Sequence, residues 1–396
     1  MYECIIFWMD NVVISWAKRT PIGSFGGVYR DVDAIQLGVK LVNSLMKDMA
    51  NTVSSITDLI LGNVLSAGLG QNPAKQIIIK AGLSNSTQSL TVNKVCSSSL
   101  EALRLAYNLI KTNQSKCVLV GGVESMSKSP HLIRGLRFGV KYGAVEVSDH
   151  MLIDGLINPY DGLSMGQCCE TGVTKYGFRR DELDDYAILS YKRAQEANST
   201  GQFQNEIVPV FVNDQEVVTD EEPFRVDFGK IPNLKPVFAP NGCLTAANSS
   251  KLSDGACFAL VSSLEVAVKL GLRPMAEIVA FGRAATSPQE FYSAPVSAIL
   301  DCCGNSNIKS RHVKVFEINE AFSCVPLIAL MELDLPLDIV NVRGGGISLG
   351  HPLGVSGIRI VTTLINIMRD FNLDTGCAAI CNGGGEAVAV MLKLFK

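Results

Sequence analysis

The sequence reads as an α/β protein in which one strand–helix unit is used twice, with a large insertion between the copies. Three observations carry that reading. Apolar strand-length runs alternate with amphipathic helices from Asn11 to Ser127. The same alternation restarts at Ala276 and again ends in a glycine run after an apolar helix. Between them, residues from about 128 to 251 lose the alternation and hold most of the local charge.

Asn11 to Ala17 is a buried-type strand, and Arg19-Thr20-Pro21-Ile22-Gly23 closes it as a turn. Ala34 to Met49 is an amphipathic helix, and Asp58 to Val64 a second strand. Gly68-Leu69-Gly70-Gln71-Asn72-Pro73 then leads into a helix through Lys80. No Gly-Lys-Ser/Thr follows these glycines, so they make a tight turn and not a phosphate loop. Thr91, Val92 and Val95 read as strand, and Leu100 to Ile110 as a helix. Lys116 to Val120 is the next strand, ending in Gly121-Gly122.

Within the insertion, Phe178 to Asn198 carries a helix with Asp181 near its start and Arg193 near its end, and Gln215 to Pro240 is polar and proline-punctuated. Such a stretch decorates the sheet and lines a cleft. Asp254 to Ser262 returns to strand character. The second copy runs through a strand from Ala276 to Phe281, a helix after Pro295, and a strand from Lys314 to Ile318. A glycine-rich loop from Gly344 to Gly354 precedes a long helix, Val355 to Met368, with Pro352 suited to its first turn. The strand Cys377 to Cys381 ends in Asn382-Gly383-Gly384-Gly385. This order predicts a mostly parallel sheet. Two copies packed face to face would bring Cys96, His351 and Cys381 to equivalent sheet ends, where sites form in open α/β sheets.

Composition narrows the function. At 396 residues the chain needs more than one core, and 47% hydrophobic with 18% charged residues indicates deep burial. A net charge of −3 gives no reason to expect nucleic acid or an anionic membrane as partner, and no apolar run approaches the length of a membrane span. Twelve cysteines follow no disulfide spacing, and Tyr2 to Met9 is a short apolar run closed by Asp10 rather than a secretory signal. Reduced thiols in the cytoplasm are the expectation, with residues 1–8 an extension outside the fold. Cys377-x-x-x-Cys381 is a poor zinc pair because it falls in an apolar strand with no second pair nearby.

Cys96 lies just before a helix whose N-terminal N–H groups lower a thiol's pKa, although a small buried cysteine is the commoner fate. Of the four histidines, only His351 is enclosed by glycines and proline, which let the backbone turn and another molecule approach. A histidine beside such a cysteine makes a nucleophile–base pair. Cys381 precedes three glycines whose N–H groups form a ready oxyanion hole. Asn319 ends a strand, where it either holds a water or a carbonyl oxygen or caps the next helix.

Taken together, these stretches resemble the thiolase family. The shared motifs run in order through Arg19-Thr20-Pro21, Val95-Cys96-Ser97-Ser98, Gly121-Gly122-Val123-Glu124-Ser125-Met126-Ser127, Asn319-Glu320-Ala321-Phe322, Gly350-His351-Pro352 and Cys381-Asn382-Gly383-Gly384-Gly385. Arg225-Val226-Asp227-Phe228 and Thr245-Ala246-Ala247-Asn248 are most similar to acetyl-CoA acetyltransferases of the potassium-activated, mitochondrial short-chain type. The resemblance implies the thiolase fold: two βαβαβαββ halves, here 10–122 plus 252–275 and 276–396, with a CoA-binding loop domain at 123–251. It implies Claisen condensation of two acetyl-CoA to acetoacetyl-CoA and CoA, and the reverse thiolysis, in a ping-pong cycle. Cys96 would be acylated, and His351 would deprotonate it and, with a water on Asn319, bind the thioester oxygen. Cys381 would move the α-proton, and the Cys96 and Gly383 amides would form a second oxyanion hole.

By the same resemblance, Tyr186, Arg225, Val226, Asp227, Lys230 and Ser250 would contact CoA. Potassium, as an activator, would sit at Tyr186, Ala246, Ala247, Ser249 and Ile347. No covalent cofactor is implied, and a homotetramer of tight dimers is, with Leu132 to Gly143 as its tetramer loop. The sequence departs from the family pattern at Ser164-Met165-Gly166, where short-chain members carry His-Met-Gly. It departs again at Cys168-Cys169, Ser249 and Lys251. Two alternatives stand beside the acetyltransferase: a degradative 3-ketoacyl-CoA thiolase for longer chains, and an inactive thiolase-like CoA- or lipid-binding protein. A ketoacyl synthase would want a second histidine where Asn319 stands.

Overall fold

A computed structural model describes residues 11–395, so the proposed extension at residues 1–8 lies outside the described residues. The first half comprises β1 (Val12–Arg19), β2 (Gly23–Ser24), α1 (Ala34–Asp48), β3 (Asp58–Gly62), α2 (Pro73–Ala81), β4 (Gln88–Val92), α3 (Ser98–Lys111) and β5 (Cys117–Ser125). The insertion holds β6 (His131–Ile133), β7 (Val147–Asp149), α4 (Met165–Tyr176), α5 (Arg180–Ser199), β8 (Val210–Val212) and β9 (Gln215–Val217). The chain then re-enters the sheet through β10 (Ser253–Ser263), followed by α6 (Leu264–Lys269). The second half comprises β11 (Ala276–Ala285), α7 (Ala294–Ser306), β12 (Val315–Ile318), α8 (Cys324–Leu333), α9 (Ser356–Asp370), β13 (Thr375–Asn382) and β14 (Glu386–Leu394).

The main sheet runs β12-β13-β14-β11-β1-β10-β5-β3-β4, with β2 added alongside β10. Each half contributes the same order outward from the β1–β11 junction. β1, β10, β5, β3 and β4 match β11, β14, β13, β12 and a one-pair parallel bridge between Phe316 and Val340. Strand alternation explains the layering. Val118 and Val120 of β5 and Ala378 and Ile380 of β13 face one common core, which also holds the apolar sides of α3 and α9. Cys117 and Leu119 face outward onto α1 and α2, and Cys377, Ala379 and Cys381 onto α7 and α8. The half-sheets therefore face each other across a shared α3–α9 layer, and each is backed by its own helices.

The sheet is mixed rather than mostly parallel. β3 runs parallel to β4 and β5, and β12 to β13, but every pairing of β1, β10, β11 and β14 is antiparallel. Residues 383–385 explain the second half, since so short a link permits only an antiparallel hairpin between β13 and β14. In the first half, residues 126–252 fill the corresponding link between β5 and β10. The glycine pair at 121–122 likewise lies inside β5 and does not end it. A Cβ at Gly122 would come within 2.2 Å of the Gly354 carbonyl oxygen, so glycine is needed there for close approach of the His351 loop. Arg19, at the end of β1, ties the insertion to the sheet: its buried guanidinium donates to Glu206 at 2.6 Å and to Asp220 at 2.6 and 2.9 Å.

Candidate active site

Val95 is not strand. It has φ of 48°, a left-handed conformation that costs a β-branched residue and is kept only where surroundings enforce it. The enforcement is local: Asn93 Oδ1 accepts from the Val95 amide at 2.9 Å, and Ser98 Oγ donates to the Val95 carbonyl at 2.6 Å while accepting from the Lys94 amide at 2.8 Å. The resulting turn presents Cys96 between β4 and α3. The flanking serines fix it to the other half. Ser97 Oγ donates to the Ile380 carbonyl at 3.3 Å and accepts from Asn382 Nδ2 at 3.1 Å, and Ser99 Oγ accepts from the Ile358 amide at 3.0 Å.

These links bring the Cys96 turn against the end of β13. The Gly383 amide and the amide of Cys96 itself lie close enough to the Cys96 sulfur to favour its thiolate, and the Cys96 thiol in turn acts electrostatically on Cys381. The expected low thiol pKa does not appear. Packing around the sulfur pushes the Cys96 thiol up to about 12, and the Glu124 charge adds to it; the two amide donors offset only part. Cys381, 1% exposed, is raised by burial in the same way.

His351 lies beyond Gly350, whose φ of 113° suits glycine alone and whose Cβ would strike Ser253 Oγ. Its amide donates to the Lys251 carbonyl at 2.9 Å. Its Nδ1 is 2.5 Å from Ser356 Oγ, which donates its own hydrogen to the Pro352 carbonyl at 3.0 Å. Ser356 therefore accepts from Nδ1–H, which leaves Nε2 with a free lone pair. Asn319 Nδ2 faces that nitrogen at 3.5 Å, and the buried Asn319 Oδ1 has no protein partner, as suits an acceptor for a water or substrate group. Burial pushes the imidazole down to about 3, and Arg359 adds to the shift. Both members of the nucleophile–base pair are thus neutral at rest.

Glu124 joins the two loops. Its Oε1 accepts from Asn63 Nδ2 at 2.9 Å and the Leu65 amide at 3.0 Å, and its Oε2 from the Val64 amide at 3.1 Å and the Gly354 amide at 2.8 Å. Burial raises this carboxyl to about 7 against the pull of those donors. Cys96 packs beside the cluster containing Leu353, two residues from His351. Sequence reasoning gave no role to Glu124, Ser97 or Ser356. An acid inside the apolar run of β5 was the readable signal for Glu124; a serine opening a helix signals nothing unusual, so Ser356 had none.

Family models for the thiolase N-terminal domain and the thiolase C-terminal domain match residues 12–265 and 272–394. The chain belongs to the thiolase family. As a thiolase it is an acyltransferase, of a kind that takes CoA and acetyl-CoA as substrates without a covalently held cofactor. It is 43% identical over 390 residues to a Dictyostelium discoideum protein named as a probable acetyl-CoA acetyltransferase, covering 97% of this chain and 94% of that one. It is 41% identical over 394 residues to a Staphylococcus aureus protein named as a probable acetyl-CoA acyltransferase, covering 98% and 100%. An Ascaris suum thiolase solved in complex with coenzyme A superposes with a TM-score of 0.93 at 40% identity, covering 97% of this chain and 100% of that one. Human mitochondrial 3-ketoacyl-CoA thiolase gives 0.94 at 30% identity, covering 98% and 100%.

The residues expected to hold CoA in this thiolase divide into two groups. Arg225, Asp227 and Lys230 are exposed, with Arg225 3.4 Å from Glu221 and Lys230 3.1 Å from Asp227. Exposed pairs of this kind are weak and open readily for an anionic ligand. Val226 is half-buried against Tyr186, Tyr191 and Ile347, and Ser250 is half-buried with its amide on the Ala321 carbonyl at 3.0 Å. Tyr186 does not join that rim. It is 4% exposed, donates to Glu320 Oε1 at 2.9 Å and accepts from Asn341 Nδ2 at 3.0 Å, so its one hydrogen is used within the core.

The residues present do not fit potassium. Lys251 Nζ donates to the Ala246 carbonyl and, at 3.4 Å, to the Ser249 carbonyl, so an ammonium already stands on two of the oxygens a cation would gather. Ala247 is buried, and the Ile347 amide donates to Glu320 Oε2 at 3.2 Å. Ser164, at the other departure from the family pattern, caps α4 by accepting from the Gln167 amide at 3.2 Å. The following Met165 brings its sulfur against Gly383. The paired Cys168 and Cys169 are buried in the core under the second half-sheet. No helix among the described residues is long and apolar enough to cross a membrane.

Proposed function

We propose that this thiolase is an acetyl-CoA C-acetyltransferase, joining two acetyl-CoA into acetoacetyl-CoA and CoA and catalysing the reverse thiolysis. The observation that carries the reading is the meeting of two thiols: Ser97 ties the Cys96 turn to the Ile380 carbonyl and the Asn382 side chain, the two residues flanking Cys381, with the Gly383 amide close by. A single nucleophile would suffice for acyl transfer. A second thiol is needed only if a carbon–hydrogen bond must also be handled.

The Cys96 sulfur attacks the thioester carbonyl while its proton passes to His351 Nε2. The imidazole Nε2–H and a water on Asn319 Oδ1 then hold the developing oxyanion, and the proton leaves on the CoA thiol. In the second half-reaction Cys381, as its thiolate, takes a proton from the α-carbon of the second acetyl-CoA. The resulting enolate attacks the acetyl-Cys96 carbonyl, whose oxyanion the Cys96 and Gly383 amides receive. The tetrahedral adduct then breaks its carbon–sulfur bond, and the departing Cys96 thiolate takes the proton from Cys381, which returns to thiolate. In thiolysis the same thiol returns the proton, and its raised pKa favours that protonated form. Arg225, Val226, Asp227, Lys230 and Ser250 make up the CoA contacts, and Tyr186 positions Glu320.

The proposed assembly is a homotetramer in the cytoplasm. It is supported by the loop Leu132 to Gly143, where Phe138 is 88% and Tyr142 100% exposed. The proposed division into 10–122 plus 252–275, 123–251 and 276–396 is supported by β10, which returns to pair with β5 and β1. A longer-chain 3-ketoacyl-CoA thiolase is the second reading, favoured by the small Ser164 side chain turned to capping.

Thiolysis of acetoacetyl-CoA by free CoA, measured beside a six- or eight-carbon 3-ketoacyl-CoA, separates the two readings. Turnover confined to acetoacetyl-CoA is the expected result, and faster turnover of the longer chain would replace the first reading by the second. Cys96→Ser should abolish acylation, whereas Cys381→Ser should spare acylation and stop carbon–carbon bond exchange. An acylated Cys96→Ser protein would overturn the assignment of the nucleophile.

A further inference from the structure

We infer that the Lys251 ammonium serves as a tethered monovalent cation, standing where a free ion would otherwise organise the turn that carries His351, so that this thiolase works without bound potassium. The Ala246 and Ser249 carbonyls point at Lys251 Nζ, the Ser249 contact at 3.4 Å. The Tyr191 ring lies with its centroid 5.8 Å from the same nitrogen, the placing of a cation over an aromatic face. Converging main-chain carbonyls are a cation's ordinary ligands, and below about pH 8, to which burial lowers this lysine, its ammonium has three donors and no acceptor and satisfies them as an ion would. A second positive charge entering the same oxygens would meet the first at contact distance.

The turn so held is structurally connected to the chemistry. Ser249 Oγ donates to the Thr245 carbonyl at 2.7 Å, which closes the turn. The Ser250 amide donates to the Ala321 carbonyl at 3.0 Å, two residues from Asn319, and the Lys251 amide to the Gly346 carbonyl at 3.3 Å. The Lys251 carbonyl accepts from the His351 amide at 2.9 Å and from Ser253 Oγ at 3.0 Å. Residue 251 thus fixes the backbone of His351 with its main chain and neutralises the adjoining carbonyls with its side chain. Lys251 is therefore a positioning residue.

The test compares the wild type with Lys251→Ala and Lys251→Gln in potassium, ammonium and choline chloride at equal ionic strength. Melting temperature and the acetoacetyl-CoA thiolysis rate are read for each. The wild type should show the same melting temperature and rate in all three salts. Lys251→Ala, which opens the space, should melt about 2 °C higher in potassium or ammonium than in choline once the ion exceeds its dissociation constant about tenfold. Its rate, low in choline, should recover severalfold with the small cations. Lys251→Gln, which keeps a neutral donor on the carbonyls, should respond less than Lys251→Ala.

A wild type stabilised and activated by potassium but not by choline would overturn the inference. So would variants indifferent to all three salts, or variants that fold in none of them, because added cation should supply what the side chain did. The rate arm rests on the acetyltransferase reading. The melting arm does not, so a protein inactive on acetoacetyl-CoA would still report on Lys251.

Discussion

Cys96 should keep its proton in the resting enzyme at neutral pH, contrary to what its position before a helix suggests. With the thiol at about 12, roughly one molecule in 10⁴ to 10⁵ holds thiolate at about pH 7.5. His351, lowered to about 3, does not take the proton in advance. A thiolate–imidazolium pair formed ahead of attack is therefore disfavoured by the desolvation of both groups, and proton transfer accompanies carbon–sulfur bond formation. The assay is the ultraviolet absorbance of thiolate followed from about pH 6 to 10, with Cys96→Ser as the reference protein. The difference between the two proteins should show no thiolate step below about pH 9, and acylation should slow in deuterium oxide. A step below about pH 8 that disappears in Cys96→Ser would refute the reasoning, because the helix terminus and the Gly383 amide would then outweigh burial.

Ser356→Ala should lower kcat by about 10- to 100-fold with a smaller change in KM, since an unpaired buried Nδ1–H costs about 1–3 kcal/mol and frees the imidazole tautomer. An unchanged kcat, measured by thiolysis, would mean that Ser356 does not set the ring. Thermal stability should fall as pH rises from about 6.5 to 8. Glu124 at about 7 and Glu317 at about 8 both lie above the ordinary carboxylate range, so the folded chain holds protons there that the unfolded chain has lost. His351 contributes the opposite slope only below about pH 6.5, where its stabilisation is lost on acidification. Melting curves that rise across that window would contradict both carboxyl assignments. Gly122→Ala should destabilise the fold by about 1–3 kcal/mol, because its Cβ would sit 2.2 Å from the Gly354 carbonyl oxygen. Gly304→Ala, in α7 with open space at its Cβ, is the control and should stabilise by about 0.5–1 kcal/mol.

Elements with a strong internal period were legible in the sequence. The predicted helix Ala34 to Met49 is α1, and Phe178 to Asn198 is α5 within two residues at each end. Parallel pairing does not extend to β10 and β14, because alternation of strands and helices describes β3, β4 and β5, whereas β10 enters after the long insertion and β14 after a three-residue hairpin link. Val95 was misread because its β-branched side chain signals strand, whereas hydrogen bonds from Asn93 and Ser98 force the turn. In the site, glycine and proline around His351 were informative since they restrict the backbone itself. The Cys96 pKa was not legible, because burial by residues scattered from Val64 to Leu353 exists only after folding. The same holds for Lys251, whose partners Ala246 and Ser249 are close in sequence but whose side-chain direction no local pattern specifies.

The duplicated topology explains why there is one candidate site and not two. Cys96 lies between β4 and α3, and His351 between the Val340 bridge and α9, so the two occupy matching places in the two halves. Identical residues there would give two nucleophiles or two bases facing each other across the α3–α9 layer. Different residues give one nucleophile and one base. The next link divides the labour further. After β13, residues 383–385 form a tight hairpin, which leaves Cys381 and the Gly383 amide at the Cys96 sulfur. After β5, residues 126–252 lead away and return, and on the way they set Met165 against Gly383 and the Lys251 carbonyl on the His351 amide. In the proposed mechanism one half therefore supplies the carbon–acid chemistry and the other the cover, so the site draws different parts from the two copies of the repeat.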